Sequence, residues 1–291
     1  MLLGIEIGAT KIQVAKGGLS GNIDAIRKCS VQKHKGATAI RESIQQMTSE
    51  LTKGADVEVT GIGFGGPVNI DTGIVSLSYQ IDGWSGFNLY QWIHKTCQSQ
   101  VTADNDANVA ALAEARVGAG RGHKRVFYSN LGSGMGGGMV IDGKIYHGAR
   151  PGESELGLAC INMQGETYES YCCGWAVDRR IRDYTEKNPR SELAKLTEGM
   201  SSGEARALGE ALSRGIPTAY AIMEETAGYI AFALSQAVHL FHPDVLVIGG
   251  GLSLLGEPLR ATVEKRLPDF ITQALKPPPP VRLAESGQSA V

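Results

Sequence analysis

The sequence carries little net charge of either sign: 28 Lys and Arg against 30 Asp and Glu leave −2. No global basic field is therefore available to hold nucleic acid or an anionic membrane, and any anion binding must be local. No apolar run approaches the roughly 18 residues that a membrane span needs. Met1 to Ile7 has no positive leading region, and Gly4 and Glu6 break its apolar stretch before it reaches the length of a secretory leader. Cysteine is scarce. The five residues, Cys29, Cys97, Cys160, Cys172 and Cys173, are odd in number and irregular in spacing, in a chain of 291 residues that is long enough to fold without staples. These absences predict a soluble, reduced, cytoplasmic protein with neither nucleic acid nor membrane as a partner. Glycine is what the chain has in excess, at 38 residues of 291 against an average near 7%. Its clustering points to sites built from backbone, and at roughly 150 residues per domain the length suggests two globular domains.

Leu2 to Ile7 alternates weakly and ends at Gly8, and Ile12 to Ala15 alternates again after the intervening GATK, which predicts strand, tight glycine turn, strand. The pattern returns where Arg125 to Leu131 runs into GSGMGGG and out through Met139 to Ile141, so two halves of one design are expected. Between Thr38 and Lys53, Ile40, Ile44, Met47 and Leu51 recur at three- and four-residue steps, marking an amphipathic helix before a strand at Val57 to Gly63. Further helices are predicted at Asp106 to Val117, Ala176 to Tyr184, Gly203 to Ser213 and Thr218 to Phe241. The apolar Val245 to Ile248, entering Gly249 to Gly251, reads as a buried strand with a glycine turn. Pro277 to Pro280 form a stiff extended connector near the end. Strands alternating with helices give an α/β class.

The glycine turns at Gly8, Gly132 to Gly138 and Gly249 to Gly251 can offer consecutive backbone N–H groups to phosphate oxygens, because no Cβ blocks the approach. Each alone reads as an ordinary hairpin turn; three in one chain, two of them in matching positions of the halves, point to a nucleoside triphosphate cleft. Thr10 and Lys11 then sit where a hydroxyl and an ammonium help hold phosphate, although a lone lysine is more often a surface residue. Asn105, Asp106 and Asn108 head a predicted helix whose apolar side is Val109, Leu112 and Ala113. Helix capping explains one of these polar residues but not three. A carboxylate at a helix start facing phosphate loops is suited to accept the proton of an attacking hydroxyl. Glu155 and Glu169 are of the type that holds sugar hydroxyls, though each alone reads as a solvated surface glutamate.

Several segments in order resemble the ROK family of repressors, open reading frames and sugar kinases, within the actin and hexokinase superfamily. They are IEIGATK at Ile5 to Lys11, GIGFGGPVN at Gly61 to Asn69, DNDANVAALAE at Asp104 to Glu114, LGSGMGGGMVIDGKIYHGA at Leu131 to Ala149, GESELG at Gly152 to Gly157, YESYCCGWAV at Tyr168 to Val177, and PDVLVIGGGLS at Pro243 to Ser253. The resemblance implies an α/β, two-lobed actin-like ATPase fold of ribonuclease H-like type, with a nucleotide and sugar cleft between the lobes. Residues 1–104 would form the N-terminal lobe and 105–291 the C-terminal lobe, the extreme C-terminus returning to the first. It implies a glucokinase-like, ATP-dependent phosphorylation of a hexose at the 6-hydroxyl, with Asp106 as general base. Gly66, Asn105, Asp106, Glu155 and Glu169 would meet the sugar; Gly8, Thr10, Lys11, Gly132, Ser133, Gly134, Gly249, Gly250 and Gly251 would meet ATP. Mg²⁺ would arrive with ATP, near Glu6, and the family tendency is towards a homodimer.

Four departures from the family pattern carry expectations of their own. Glu6 stands where the family has Asp and Ala9 where it has Gly; a longer carboxylate against the Mg²⁺-bound water, and a methyl group in the phosphate turn, would lower activity. Leu158 replaces the histidine that usually follows Gly157, and a sugar hydroxyl left unpaired against it would cost about 1–3 kcal/mol, so atypical substrate choice is expected. The family's CxCGxxGC loop has shrunk to the stretch before Glu169. No structural zinc is therefore expected, and Cys172 and Cys173, adjacent and without CxxC spacing, read as packing residues. Beyond these, the chain ends at AESGQSAV, where the family continues into a helix. The alternative to a kinase is a sugar-binding regulator of the same family with little or no kinase activity. Such regulators carry a helix-turn-helix ahead of the first hairpin, for which a first strand at Leu2 leaves no place.

Overall fold

The computed structural model describes residues 1–78 and 81–286. They group into two compact units, one of Met1–Ala113 with Ile145–Glu153, the other of Glu114–Lys144 with the residues from Ser154 onward. A division after residue 104 places Ile145–Glu153 with the other half. The return of the extreme C-terminus to the first lobe falls on residues 287–291, outside the described residues.

The first unit is built on β1 (Leu2–Ile7), β2 (Lys11–Gly17), β3 (Ile23–Ser30), β4 (Val59–Phe64) and β7 (Gln100–Asn105), in the order β3-β2-β1-β4-β7. A two-stranded ribbon of β5 (Val68–Asn69) and β6 (Ile74–Val75) lies between the last two in sequence. β1 and β2 form the expected antiparallel hairpin, whereas β4 and β7 run parallel to β1. Helix α1 (Gly36–Thr52) buries Ile40, Ile44, Met47 and Leu51 in the same apolar cluster as Ile5, Ile12 and Ile62 of the sheet. Each such side chain contributes about 1.5–3 kcal/mol when fully buried, and together they hold the helix to the sheet. Helices α2 (Leu89–Cys97) and α3 (Asp106–Arg116) flank β7 in sequence, and α3 carries the chain into the second unit.

The second sheet repeats the first. β8 (Arg125–Leu131) and β9 (Met135–Ile141) form the hairpin, β11 (Val245–Gly249) runs parallel to β8 and β12 (Val281–Leu283) parallel to β11, with β10 (Lys144–Ile145) at the edge, in the order β10-β9-β8-β11-β12. Position for position this is the order of the first sheet, which is the internal duplication that the two glycine hairpins predict. The helices are α4 (Glu169–Cys172), α5 (Gly174–Lys187), α6 (Glu192–Leu196), α7 (Ala207–Ser213), α8 (Pro217–Phe241) and α9 (Glu257–Arg266). α8 begins on Pro217, where a missing N–H costs no helical bond, and buries residues from Ala219 to Val238 along its length.

The glycine run 132–138 divides between two roles. Gly132 and Gly134 lie in the turn, but Gly136, Gly137 and Gly138 belong to β9, opposite Asn130, Ser129 and Tyr128. A Cβ on Gly137 would lie 2.7 Å from the Ser154 carbonyl oxygen and 3.0 Å from the Phe127 ring. Gly137 is therefore required by close packing on the strand, and the turn itself is made by residues 132–134.

Cys172 and Cys173 are both fully buried and free of disulfides. Burial pushes both thiols up, the effect of the neighbouring cysteine adding to it at Cys172, and Cys173 reaches about 11. Ellman's reagent at pH 8 is expected to titrate the exposed Cys160 rapidly and to reach Cys172 and Cys173 only after unfolding; rapid modification of either in the native protein contradicts this packing. Between the ordinary value of 9.0 and about 11 the unfolded chain loses the Cys173 proton and the folded chain keeps it, so stability falls as pH rises through that window.

Candidate active site

The last residues of the three parallel strands β1, β4 and β7, namely Ile7, Phe64 and Asn105, stand in register. The loops leaving them, Gly8 to Lys11, Gly65 to Gly66 and the start of α3 at Asp106, therefore emerge side by side at the carboxyl edge of the sheet, where open α/β sheets bind ligands. Gly65 N donates to Ile7 O at 2.9 Å. A Cβ on Gly65 would lie 3.3 Å from that oxygen, 3.4 Å from Asp106 Oδ2 and 3.6 Å from Gly8 Cα. Asp106 Oδ2 thus lies beside Gly65, and glycine at that position keeps open the space that Asp106 and Gly8 border.

Gly8 N donates to Lys11 O at 3.1 Å and closes a turn with Ala9 and Thr10 at its tip. Lys11 Nζ is 3.6 Å from Glu6 Oε1, and Gln13 Nε2 donates to Glu6 Oε2. Glu6 is only 7% exposed. Its carboxylate is therefore committed to two β2 side chains and orients the Lys11 ammonium at the base of the turn.

The polar run at the head of α3 resolves into three tasks. Asn105 Oδ1 accepts from Ala107 N at 2.8 Å and from Asn108 N at 3.4 Å, which is the capping role, while its Nδ2 donates to Gly66 O at 3.4 Å. Asp106 Oδ1 accepts from Ala107 N at 2.8 Å, leaving Oδ2 as the oxygen beside Gly65. Asn108 is buried and turns the other way, to Asp104 and Glu153. Gly66, Asn105 and Asp106, three of the five predicted sugar residues, are accordingly brought together in the first unit with Gly8, Thr10 and Lys11.

The second unit holds the remaining residues. Gly249 pairs with Asn130, so the turn after β8 and the loop after β11 adjoin. Gly250 has φ +81°, and a Cβ there would lie 2.7 Å from Leu131 C and 2.3 Å from Asn130 Oδ1, so only glycine fits. Gly132 to Gly134 and Gly249 to Gly251 form one glycine-lined edge. Glu169 Oε2 accepts from Met135 N at 3.4 Å and would stand 2.9 Å from a Cβ on Gly134. A Cβ on Gly157 would strike the Met135 carbonyl at 2.1 Å. Glu169 and the segment carrying Glu155 therefore both pack at the start of β9. One feature is not visible in the sequence: Gly174 N, the first residue of α5, donates to Gly132 O at 2.8 Å, and sets a helix amino terminus, with its partial positive charge, against the same turn.

A second polar group in the first unit escaped sequence reasoning. Asp104, His147 and Glu153, with Asn108, converge beside a cavity of about 130 Å³ lined also by Asn69, Asp71 and Asn105. Asp104 and Glu153 lie within recognised motifs, but nothing in their spacing of 49 positions (153 − 104) signals that they meet.

The model of the ROK family matches residues 2–291. A glucokinase of Thermotoga maritima is 28% identical over 278 residues, 93% of this chain and 88% of the relative. A glucokinase of Streptomyces coelicolor is 30% identical over 282 residues, 92% of this chain and 88% of the relative. The solved structure of a ROK family glucokinase from Streptomyces griseus in complex with glucose and AMPPNP matches with a TM-score of 0.88 at 29% identity, covering 99% of this chain and 96% of that one.

Proposed function

The chain belongs to the ROK family and has its actin-like α/β fold, and from that premise we propose that it is an ATP-dependent sugar kinase acting on the 6-hydroxyl of glucose or a related hexose. The observation that carries the reading is the alignment of Gly8, Gly65 to Gly66 and Asp106 at one sheet edge. That alignment supports reading the three as a phosphate turn, a backbone loop and a carboxylate that serve one small substrate. The kinship supports it, since the two named relatives are glucokinases and the structural neighbour binds glucose and an ATP analogue.

In the proposed reaction Asp106 Oδ2 accepts the proton of the 6-hydroxyl as its oxygen bonds to the γ-phosphorus. The bond from that phosphorus to the β–γ bridging oxygen breaks, and ADP leaves with the electron pair. The transition state is loose, so positioning and charge neutralisation matter more than base strength. Gly66, Asn105, Glu155 and Glu169 hold the sugar. Thr10, the Lys11 ammonium steadied by Glu6, and the turns Gly132–Ser133–Gly134 and Gly249–Gly250–Gly251 hold ATP, with Mg²⁺ carried in on the nucleotide near Glu6. The proposal includes lobes of 1–104 and 105–291, in a cytoplasmic homodimer. Among the described residues no helix is long and apolar enough to cross a membrane.

A second reading, a sugar-binding protein with little turnover, rests on Leu158, which is 55% exposed and offers a sugar no hydrogen bond. A coupled assay of ADP release with Mg²⁺, across glucose, fructose, mannose, allose, N-acetylglucosamine and N-acetylmannosamine against a no-sugar blank, decides between them. Sugar-dependent ADP release is the expected result and names the substrate. Silence across the panel with thermal stabilisation by a sugar favours the second reading.

A further inference from the structure

The group beside the 130 Å³ cavity has a composition that the kinase reading leaves unused. His147 Nε2 lies 2.7 Å from Asp104 Oδ2. The Asn108 carboxamide, 1% exposed, donates to Asp104 Oδ1 at 2.9 Å and to Glu153 Oε1 at 2.8 Å. One ligand atom from each of Asp104, His147 and Glu153 lies within 4.8 Å of the others.

We propose that Asp104, His147 and Glu153 bind a divalent first-row transition-metal ion, which Asn108 turns to join. An imidazole with two carboxylates and no sulfur is a donor set for ions of the Mn²⁺ to Zn²⁺ type. Ligands about 2.0–2.2 Å from such an ion stand roughly 3–4 Å from one another, and the three ligand atoms here already lie within 4.8 Å of one another. Two carboxylates held on one amide repel each other, and a cation between them removes that repulsion.

Asn108 supplies the independent sign. Its amide end points into the cluster, yet its Oδ1 is buried with no hydrogen-bond partner, an arrangement that buried polar atoms avoid. A half-turn of the carboxamide exchanges Oδ1 and Nδ2. Without a cation this would set a third oxygen against two carboxylates, so the amide donates instead. With a cation present the same turn adds an oxygen ligand. The cavity leaves room for water or a ligand oxygen at the remaining positions. Because Asn105 lines that cavity too, a bound ion would carry positive charge to the neighbourhood of a residue proposed to hold the sugar.

The test is titration of the full-length protein with Mn²⁺, without nucleotide or sugar, following free Mn²⁺ by electron paramagnetic resonance. Omitting both substrates keeps its outcome separate from that of the kinase assay. Saturable binding of one Mn²⁺ per chain is expected, weakened at least about tenfold by His147→Ala or by the isosteric Glu153→Gln; thermal melts confirm that each variant is folded, and Glu153→Gln serves if His147→Ala is not. No saturable binding up to about 1 mM Mn²⁺, or binding that no folded variant weakens tenfold, would overturn the proposal.

Discussion

Replacing Asp106 by asparagine is expected to lower kcat by about 10²- to 10⁴-fold, roughly 2.7–5.5 kcal/mol of transition-state stabilisation, with little change in sugar affinity. The substitution is nearly isosteric, and a carboxamide oxygen can still accept the Ala107 N–H that Asp106 Oδ1 accepts at 2.8 Å, so the head of α3 keeps its geometry. What is lost is the proton acceptor beside Gly65. An effect on kcat without a matching effect on sugar binding separates proton transfer from substrate positioning. Steady-state kinetics together with calorimetric sugar binding read both quantities, and an unchanged kcat would remove Asp106 from the role of base.

Truncating Glu114 to alanine is expected to cost about 3 kcal/mol of stability. Its fully buried carboxylate gathers the N–H groups of Ala119 at 2.8 Å, Glu285 at 3.2 Å and Ser286 at 2.8 Å, together with the Ser286 hydroxyl. It thereby ties the end of the described chain to α3 and the turn after it. Each buried donor left without a partner costs about 1–3 kcal/mol, and partial solvation of the loosened segment brings the sum back towards the stated figure. Gly118 is part of the arrangement, since a Cβ there would lie 2.2 Å from Glu114 Oε2. Glu114→Gln, which retains one acceptor oxygen, should lose less. The midpoint of urea unfolding measures both variants, and an alanine variant with the native midpoint would show that the tether carries no stability.

Glu114 also illustrates a limit of sequence reading. It lies in a recognised motif, but besides Ala119 its partners are 171 and 172 residues away, and nothing local distinguishes it from a solvated glutamate. The meeting of Asp104, His147 and Glu153 is hidden for the same reason. Asn105 shows a subtler case: one side chain caps α3 through Oδ1 and reaches the Gly66 carbonyl through Nδ2, so capping does not exhaust its polar atoms.

Whatever depends on local periodicity and on backbone chemistry is legible in the residues alone. The spacing of Ile40, Ile44, Met47 and Leu51 prescribes α1, the unbroken apolar run before Gly249 prescribes the buried β11, and paired strand–glycine–strand segments prescribe the duplicated sheets. These follow from steric and hydrophobic rules acting over a few residues. Which carboxylates face a cavity, which accept from buried N–H groups, and that Gly137 serves packing emerge only in the folded chain. Those outcomes depend on strand register and on side chains that meet across many tens of residues, where a one-residue change of register would present a different set of atoms.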